Sequence, residues 1–190
     1  VLVGCYLVWV GGWPIVAVGL SALLCGFAYT GGPAPLGYLG LGDIFVFIFF
    51  GLVAVTGTYY VQALTISSTA LLASVGVGTL ATAILVVNNL RDRHTDKDAG
   101  KCTLVVRLGP TFARIEYAAL VGIAYLLPLV MWLTGEVGAG WLICLLSLPI
   151  GLLQIRAVFT TDGAALNPLL GSTARLGLAY SVLLAVGVAL

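Results

Sequence analysis

The chain has 190 residues, of which 61% are hydrophobic and only 8% charged, with a mean hydropathy of +1.16 and a formal net charge of +1. Soluble domains carry about 25% charged residues, so this composition excludes a soluble domain and points to an integral membrane protein. The lipid bilayer is therefore an expected partner, and no nucleic acid is.

A spanning helix needs roughly 20 predominantly apolar residues. On that measure residues 1–10 form the end of a span that stops at Gly11-Gly12, and 13–29 form a second helix. A Gly/Pro segment, TGGPAPLGYLGLGD (Thr30–Asp43), follows. Further helices are predicted over 44–62, 68–90, 113–134, 141–159 and 172–190. Short turns at 65–67 and 135–140, a charged loop at 91–112 and a loop at 160–171 join them. The expected fold is all-α: a polytopic transmembrane helix bundle, with 1–190 as one membrane domain. A β-barrel is disfavoured, because it would show alternating segments of roughly 10 residues. The chain starts at Val1 in apolar sequence without signal-peptide features, so it is expected to begin inside a helix of a longer protein.

Charge placement supports this layout. Alternation puts 30–43, 91–112 and 160–171 on one side of the membrane. All eight Lys and Arg residues lie in or beside those segments: Arg91, Arg93, Lys97, Lys101, Arg107, Arg114, Arg156 and Arg175. Basic residues concentrate on the cytoplasmic side, so the charged loop is expected to face the cytoplasm. Trp13, Trp132 and Trp141 fall near predicted helix ends, where interfacial aromatics are common. The four cysteines have no CxxC or Cys/His spacing and are expected to be small buried residues.

The segment NNLRDRHTDKDAGK (Asn88–Lys101) stands apart. Ten of the fifteen acidic and basic residues lie between Arg91 and Glu116. Asn88, Asp92 and Asp96 are spaced i, i+4, i+8. If the helix continues past the membrane surface, successive members sit about 40° apart and share a face. Acids so placed repel, and two compensators are open. One is the local set Arg91, Arg93, Lys97 and Lys101. The other is a divalent cation such as Mg²⁺, which takes hard oxygen ligands and leaves positions for water and phosphate. A solvated loop with topogenic bases explains most of the Arg and Lys equally well. The calcium-loop pattern fails because Arg107 stands where Glu is required, and the P-loop pattern fails because Cys102 follows Gly100-Lys101. His94, the one histidine, has no partner in the sequence and reads as solvated.

NNLRDRHTDKDAGKCTLVVRLG (Asn88–Gly109) resembles the second aspartate-rich motif of the UbiA superfamily of intramembrane prenyltransferases. Within it, the NNLRD…TD…GK.TL.VRLG pattern resembles the branch that prenylates 1,4-dihydroxy-2-naphthoate in menaquinone biosynthesis. A second block, Tyr29–Gln62, resembles that branch's Gly/Pro loop and the helix after it, and the two blocks cover 56 of the 190 residues. The resemblance implies a bundle of nine spans in the cell membrane, with two aspartate-rich cytoplasmic motifs holding Mg²⁺ and the diphosphate of a polyprenyl diphosphate donor. It implies Asp92 and Asp96 as metal ligands with Asn88 on the same face. Arg91, Lys97, Lys101 and Arg107 become candidates for diphosphate contact, and Tyr38, Asp43 and Asn89 for the border of the acceptor pocket. The family's first aspartate-rich motif has no counterpart here. The N-terminal third is therefore expected to be missing, and the chain alone is expected to be inactive.

The implied reaction transfers a polyprenyl group to 1,4-dihydroxy-2-naphthoate, giving demethylmenaquinone. Charge develops on the departing diphosphate, where a metal and bases stabilise it. The allylic cation requires a dry cavity and gains from aromatic faces. Phe45, Phe47, Phe49, Phe50, Tyr59 and Tyr60 are candidates for that wall, although packing or lipid contact accounts for each of them more simply. No general base is evident. A sibling enzyme with 4-hydroxybenzoate, homogentisate or haem as acceptor is the rival reading. A transporter or scaffold is disfavoured, because the charges sit at a helix end rather than at midplane depth.

Overall fold

A computed structural model describes residues 2–31 and 35–190; residues 32–34 of the Gly/Pro segment lie outside that description. Two helices come first, α1 (Leu2–Gly11) and α2 (Trp13–Thr30). A 3₁₀ turn at Leu36–Tyr38 leads into α3 (Gly42–Val46), a π-helical stretch (Phe47–Val53) and α4 (Ala54–Ala63), which form one continuous rod. Next come α5 (Ser68–Asp98), the short α6 (Leu104–Leu108) and α7 (Pro110–Leu133). A 3₁₀ segment, Ala139–Ser147, runs into α8 (Leu148–Thr160), and a 3₁₀ turn, Gly163–Leu166, into α9 (Asn167–Ala189). Six of these helical rods are long and apolar enough to cross a membrane. The protein is an all-α, multi-pass membrane bundle.

Local chemistry sets the ends. Ser67 caps α5, its hydroxyl accepting from the Thr69 N–H at 3.1 Å, and proline stands in the first turn of α2, α7, α8 and α9. The predicted loop 91–112 is corrected. The apolar pattern stops at Leu90, but nothing breaks the helix there, and α5 runs two turns further, to Asp98. The chain turns at Gly100, with φ +73. The loop predicted at 160–171 also shortens, because α9 begins at Asn167.

Helix α5 is the central element, with half of its apolar window buried. Leu80, Val86, Val87 and Leu90 meet Tyr117 and Val121 of α7 and Leu176 and Tyr180 of α9 in one core. Glycine permits the closest approaches: a Cβ on Gly51 of the π-helical stretch would collide with the Gly78 backbone of α5. Buried tyrosines tie the rods with hydrogen bonds. Tyr117 Oη donates to Gln154 Oε1 at 3.1 Å, Tyr125 pairs with Ser147 at 2.8 Å, and Tyr180 Oη donates to the Ala124 carbonyl at 2.8 Å. Such bonds fix helix pairs because a buried polar group has no water to turn to.

Two sequence expectations fail on packing. Trp141 is 4% exposed and belongs to the core rather than to an interfacial belt. Of the cysteines only Cys144 is buried; Cys5 and Cys102 are exposed and Cys25 is half-buried. No residue of α2 is buried, and only Gly11 of α1 is.

Candidate functional site

The continuation of α5 decides the geometry. Because the backbone stays helical, Asn88, Asp92 and Asp96 keep the one-face register that their spacing allows. Their repulsion is answered by bases of the same chain. Arg91 Nε donates to Asp92 Oδ1 at 2.7 Å, and one terminal nitrogen donates both to Asp92 Oδ2 at 2.5 Å and to Asn88 Oδ1 at 2.9 Å. The remaining terminal nitrogen reaches Asn167 Oδ1 at the start of α9, at 2.9 Å. Lys101 Nζ donates to Asp96 Oδ1 at 2.9 Å, and this bond raises the lysine's pKa above its ordinary value. Arg93 serves another purpose. It clasps Asp162, beyond α8, at 2.5 and 2.6 Å, and Arg114 stands 3.7 Å from the same carboxylate. Arg93 holds the Asp162 carboxyl below the usual carboxylate range.

Residues 38–40 of the Gly/Pro segment pack on the turn after α5. The Cys102 N–H donates to the Tyr38 carbonyl at 2.9 Å, and Lys101 Nζ lies 5.7 Å from the Tyr38 ring centroid. Gly40 is required here. Its φ is +73, and a Cβ would stand 2.7 Å from the Cys102 carbonyl oxygen. Beneath this fold lies a cavity of about 500 Å³ lined by Tyr38, Asp43, Asn88, Asn89, Lys101 and Thr103, among others. Asp43 and Thr103 are 7% and 6% exposed, and neither Asp43 Oδ1 nor Thr103 Oγ1 has a hydrogen-bond partner among the described residues.

Tyr29 also lines this cavity. Gly37 and Gly42 make room for its ring, since a Cβ at either would come within 3.0 Å of it. Tyr29 lines a second cavity of about 600 Å³ with Phe45, Phe49 and Phe50. The Phe45 and Phe49 rings stack with centroids 6.2 Å apart, and Tyr29 meets Phe45 edge-on at 6.5 Å. A polar chamber and an aromatic one thus share a tyrosine wall.

The three acceptor-pocket candidates, Tyr38, Asp43 and Asn89, line one cavity together with Asn88 and Lys101. Asp92 opens instead on a smaller hollow of about 360 Å³ beside His94, Thr95 and Asn167. Lys97 is exposed and follows Asp96 by one residue, which turns it about 100° away from the Asn88/Asp92/Asp96 face. Arg107 is exposed on α6 near Gly40. Of the aromatic candidates, Phe47 packs against Gly78, Tyr60 Oη donates to the Gly11 carbonyl at 3.1 Å, and Tyr59 is exposed. Tyr29 and Thr103 fall inside the two blocks that carry the family resemblance, without a role there, and Asn167 lies outside both; packing brings all three to the site.

No group of three or more His, Cys, Asp and Glu residues with metal-binding geometry occurs among the described residues. The donor set of Asn88, Asp92 and Asp96 is nevertheless all oxygen. It fits a hard divalent cation that uses one or two carboxylates and completes its shell with water and phosphate.

Comparison with known proteins gives concordant results. The profile of the UbiA prenyltransferase family matches residues 1–188. The 1,4-dihydroxy-2-naphthoate octaprenyltransferase of Haemophilus influenzae is 38% identical over 173 residues, 90% of this chain and 56% of that protein. The protein of the same description from Escherichia coli is 40% identical over 176 residues, 92% of this chain and 56% of that one. Human UbiA prenyltransferase domain-containing protein 1 is 32% identical over 168 residues, 86% of this chain and 47% of that one. The chain thus spans about half the length of the curated relatives it matches.

Proposed function

The chain belongs to the UbiA prenyltransferase family, and on that premise we propose that it serves the transfer of a polyprenyl group from polyprenyl diphosphate to 1,4-dihydroxy-2-naphthoate, with loss of CO₂, giving the quinol form of demethylmenaquinone. The carrying observation is the shared Tyr29 wall between a charged, polar cavity and an aromatic one. A prenyl diphosphate has these two halves. Its anionic head suits the side with Lys101 and Asn88, and its apolar chain suits the side with Phe45 and Phe49.

Asn88, Asp92 and Asp96 hold Mg²⁺ in this reading. Bound there, Mg²⁺ supplies positive charge to the departing diphosphate oxygens. Arg91 and Lys101 are the nearest diphosphate contacts, because each already binds an oxygen of that helix face. Lys97 and Arg107 add positive charge at the rim. The stacked Phe45 and Phe49 exclude water from the allylic carbon and offer π faces to its developing charge. The site faces the cytoplasm from the cell membrane, on the side where the Lys and Arg residues collect.

The test is an acceptor competition with the complete gene product in membranes. Transfer of labelled prenyl to 1,4-dihydroxy-2-naphthoate in preference to 4-hydroxybenzoate and homogentisate is expected. Transfer to another ring and none to the naphthoate would reject the assignment.

A further inference from the structure

We propose that Asp43, supported by Thr103, receives the hydroxyl of the aromatic acceptor and takes its proton as the new carbon–carbon bond forms. The inference deepens the proposed prenyl transfer and rests on it.

Buried polar atoms are almost always paired. Among the described residues the exceptions are Asp43 Oδ1 and Thr103 Oγ1, and both residues line the same cavity. They come from different elements: Asp43 from the first turn of α3, and Thr103 from the turn before α6. An unpaired carboxylate oxygen calls for a donor, and an unpaired hydroxyl can donate or accept. A diphosphate answers only one need: it can accept from Thr103, but it offers Asp43 no proton and sets a second anion against the carboxylate. A hydroxyarene answers both. Its O–H donates to Asp43 Oδ1, and its oxygen accepts from Thr103 Oγ1. The volume of about 500 Å³ falls in the range of small-molecule sites. Tyr29 and Tyr38 supply flat walls, and Lys101 in the same lining offers positive charge toward which the anionic donor head is drawn.

Asp43 takes the hydroxyl proton, and the O–H electron pair stays on the ring oxygen. A ring π pair forms the bond to the allylic carbon, and the allylic C–O pair leaves with diphosphate. The attacked ring carbon then loses its substituent, a carboxylate as CO₂ or a proton to water. That pair restores the aromatic ring, and the proton on Asp43 returns to the ring oxygen. A side chain positioned for this proton acts as a general base.

The experiment uses the complete gene product in membranes. In Asp43→Asn, kcat with 1,4-dihydroxy-2-naphthoate should fall at least 100-fold while the donor KM stays within twofold. The loss should shrink at least tenfold for ring-halogenated hydroxynaphthoates, whose hydroxyl is more acidic and needs the base less. Asp43→Glu should recover part of the rate. A wild-type kcat, a loss independent of acceptor acidity, or a loss confined to donor KM would overturn the proposal. If Asp43→Asn does not accumulate, Thr103→Val replaces it: a tenfold rise in acceptor KM with unchanged donor KM supports the site, and no change rejects it. If wild-type protein transfers nothing to the naphthoate, the functional reading fails by itself. Binding of hydroxynaphthoates, read by thermal shift, then decides the inference. Binding lost in Asp43→Asn upholds a hydroxyarene site, and binding equal in both, or absent from the wild type, removes it.

Discussion

Arg91 closes on both carboxylate oxygens of Asp92, at 2.7 and 2.5 Å, and holds Asn88 with the same guanidinium at 2.9 Å. The base thus occupies the helix face on which a cation is proposed to sit. Lys101 does the same for Asp96 one turn further on. Were a divalent cation held by Asn88, Asp92 and Asp96, Arg91 and Lys101 would be freed from these carboxylates to contact diphosphate oxygens.

Asp92→Asn and Asp96→Asn remove one charge each from that face and leave its shape. Each should lower Mg²⁺-dependent transfer by about two orders of magnitude or more, the scale of losing one charge-stabilising element at a reacting group. Transfer titrated against Mg²⁺ in membranes, at matched expression, measures this. Wild-type turnover in either variant would remove that residue as a ligand.

Arg91→Leu deletes a proposed diphosphate contact and also the link to Asn167. Hydrogen bonds to charged groups contribute about 1.5–3 kcal/mol, so donor KM should rise roughly 10- to 100-fold, with little change in acceptor KM. Steady-state kinetics with each substrate varied in turn separate the two.

The Arg93–Asp162 clasp predicts a pH dependence of stability. Asp162 has a depressed pKa in the fold because Arg93 hydrogen-bonds its charged form. A depressed carboxyl stabilises above its unfolded value, about 3.9, and that contribution is lost as pH falls through the folded value. Thermal stability in detergent should therefore decline more steeply below about pH 4 in the wild type than in Asp162→Asn. Asp162 is half exposed, so solvent screening keeps the difference small. Equal slopes would show that the clasp adds nothing.

Gly51 and Gly57 lie on the same rod and should respond oppositely to alanine. A Cβ at Gly51 meets the Gly78 backbone, whereas one at Gly57 meets nothing within 4 Å. Gly51→Ala should cost about 1–3 kcal/mol through forced separation of two packed helices. Gly57→Ala should be neutral or stabilising by up to about 1 kcal/mol, from helix propensity. Unfolding in mild detergent followed by tryptophan fluorescence compares them.

The sequence by itself determined the membrane class, the order and approximate limits of the helices, and the Asn88/Asp92/Asp96 register. All three depend on local properties: runs of apolar residues, and a period of 3.6 that holds wherever the helix holds. It missed the two added turns of α5, because hydropathy marks the edge of the apolar run and not the end of the hydrogen-bonded ladder. Only the tertiary structure paired Arg91 with Asn167, 76 residues away, and Arg93 with Asp162, 69 residues away. Only packing set Asp43 and Thr103 in one cavity and gave Tyr29 two chambers to divide. No periodicity carries such pairings, because they follow from which helix faces meet, and glycine contacts such as Gly51 on Gly78 decide how closely those faces come.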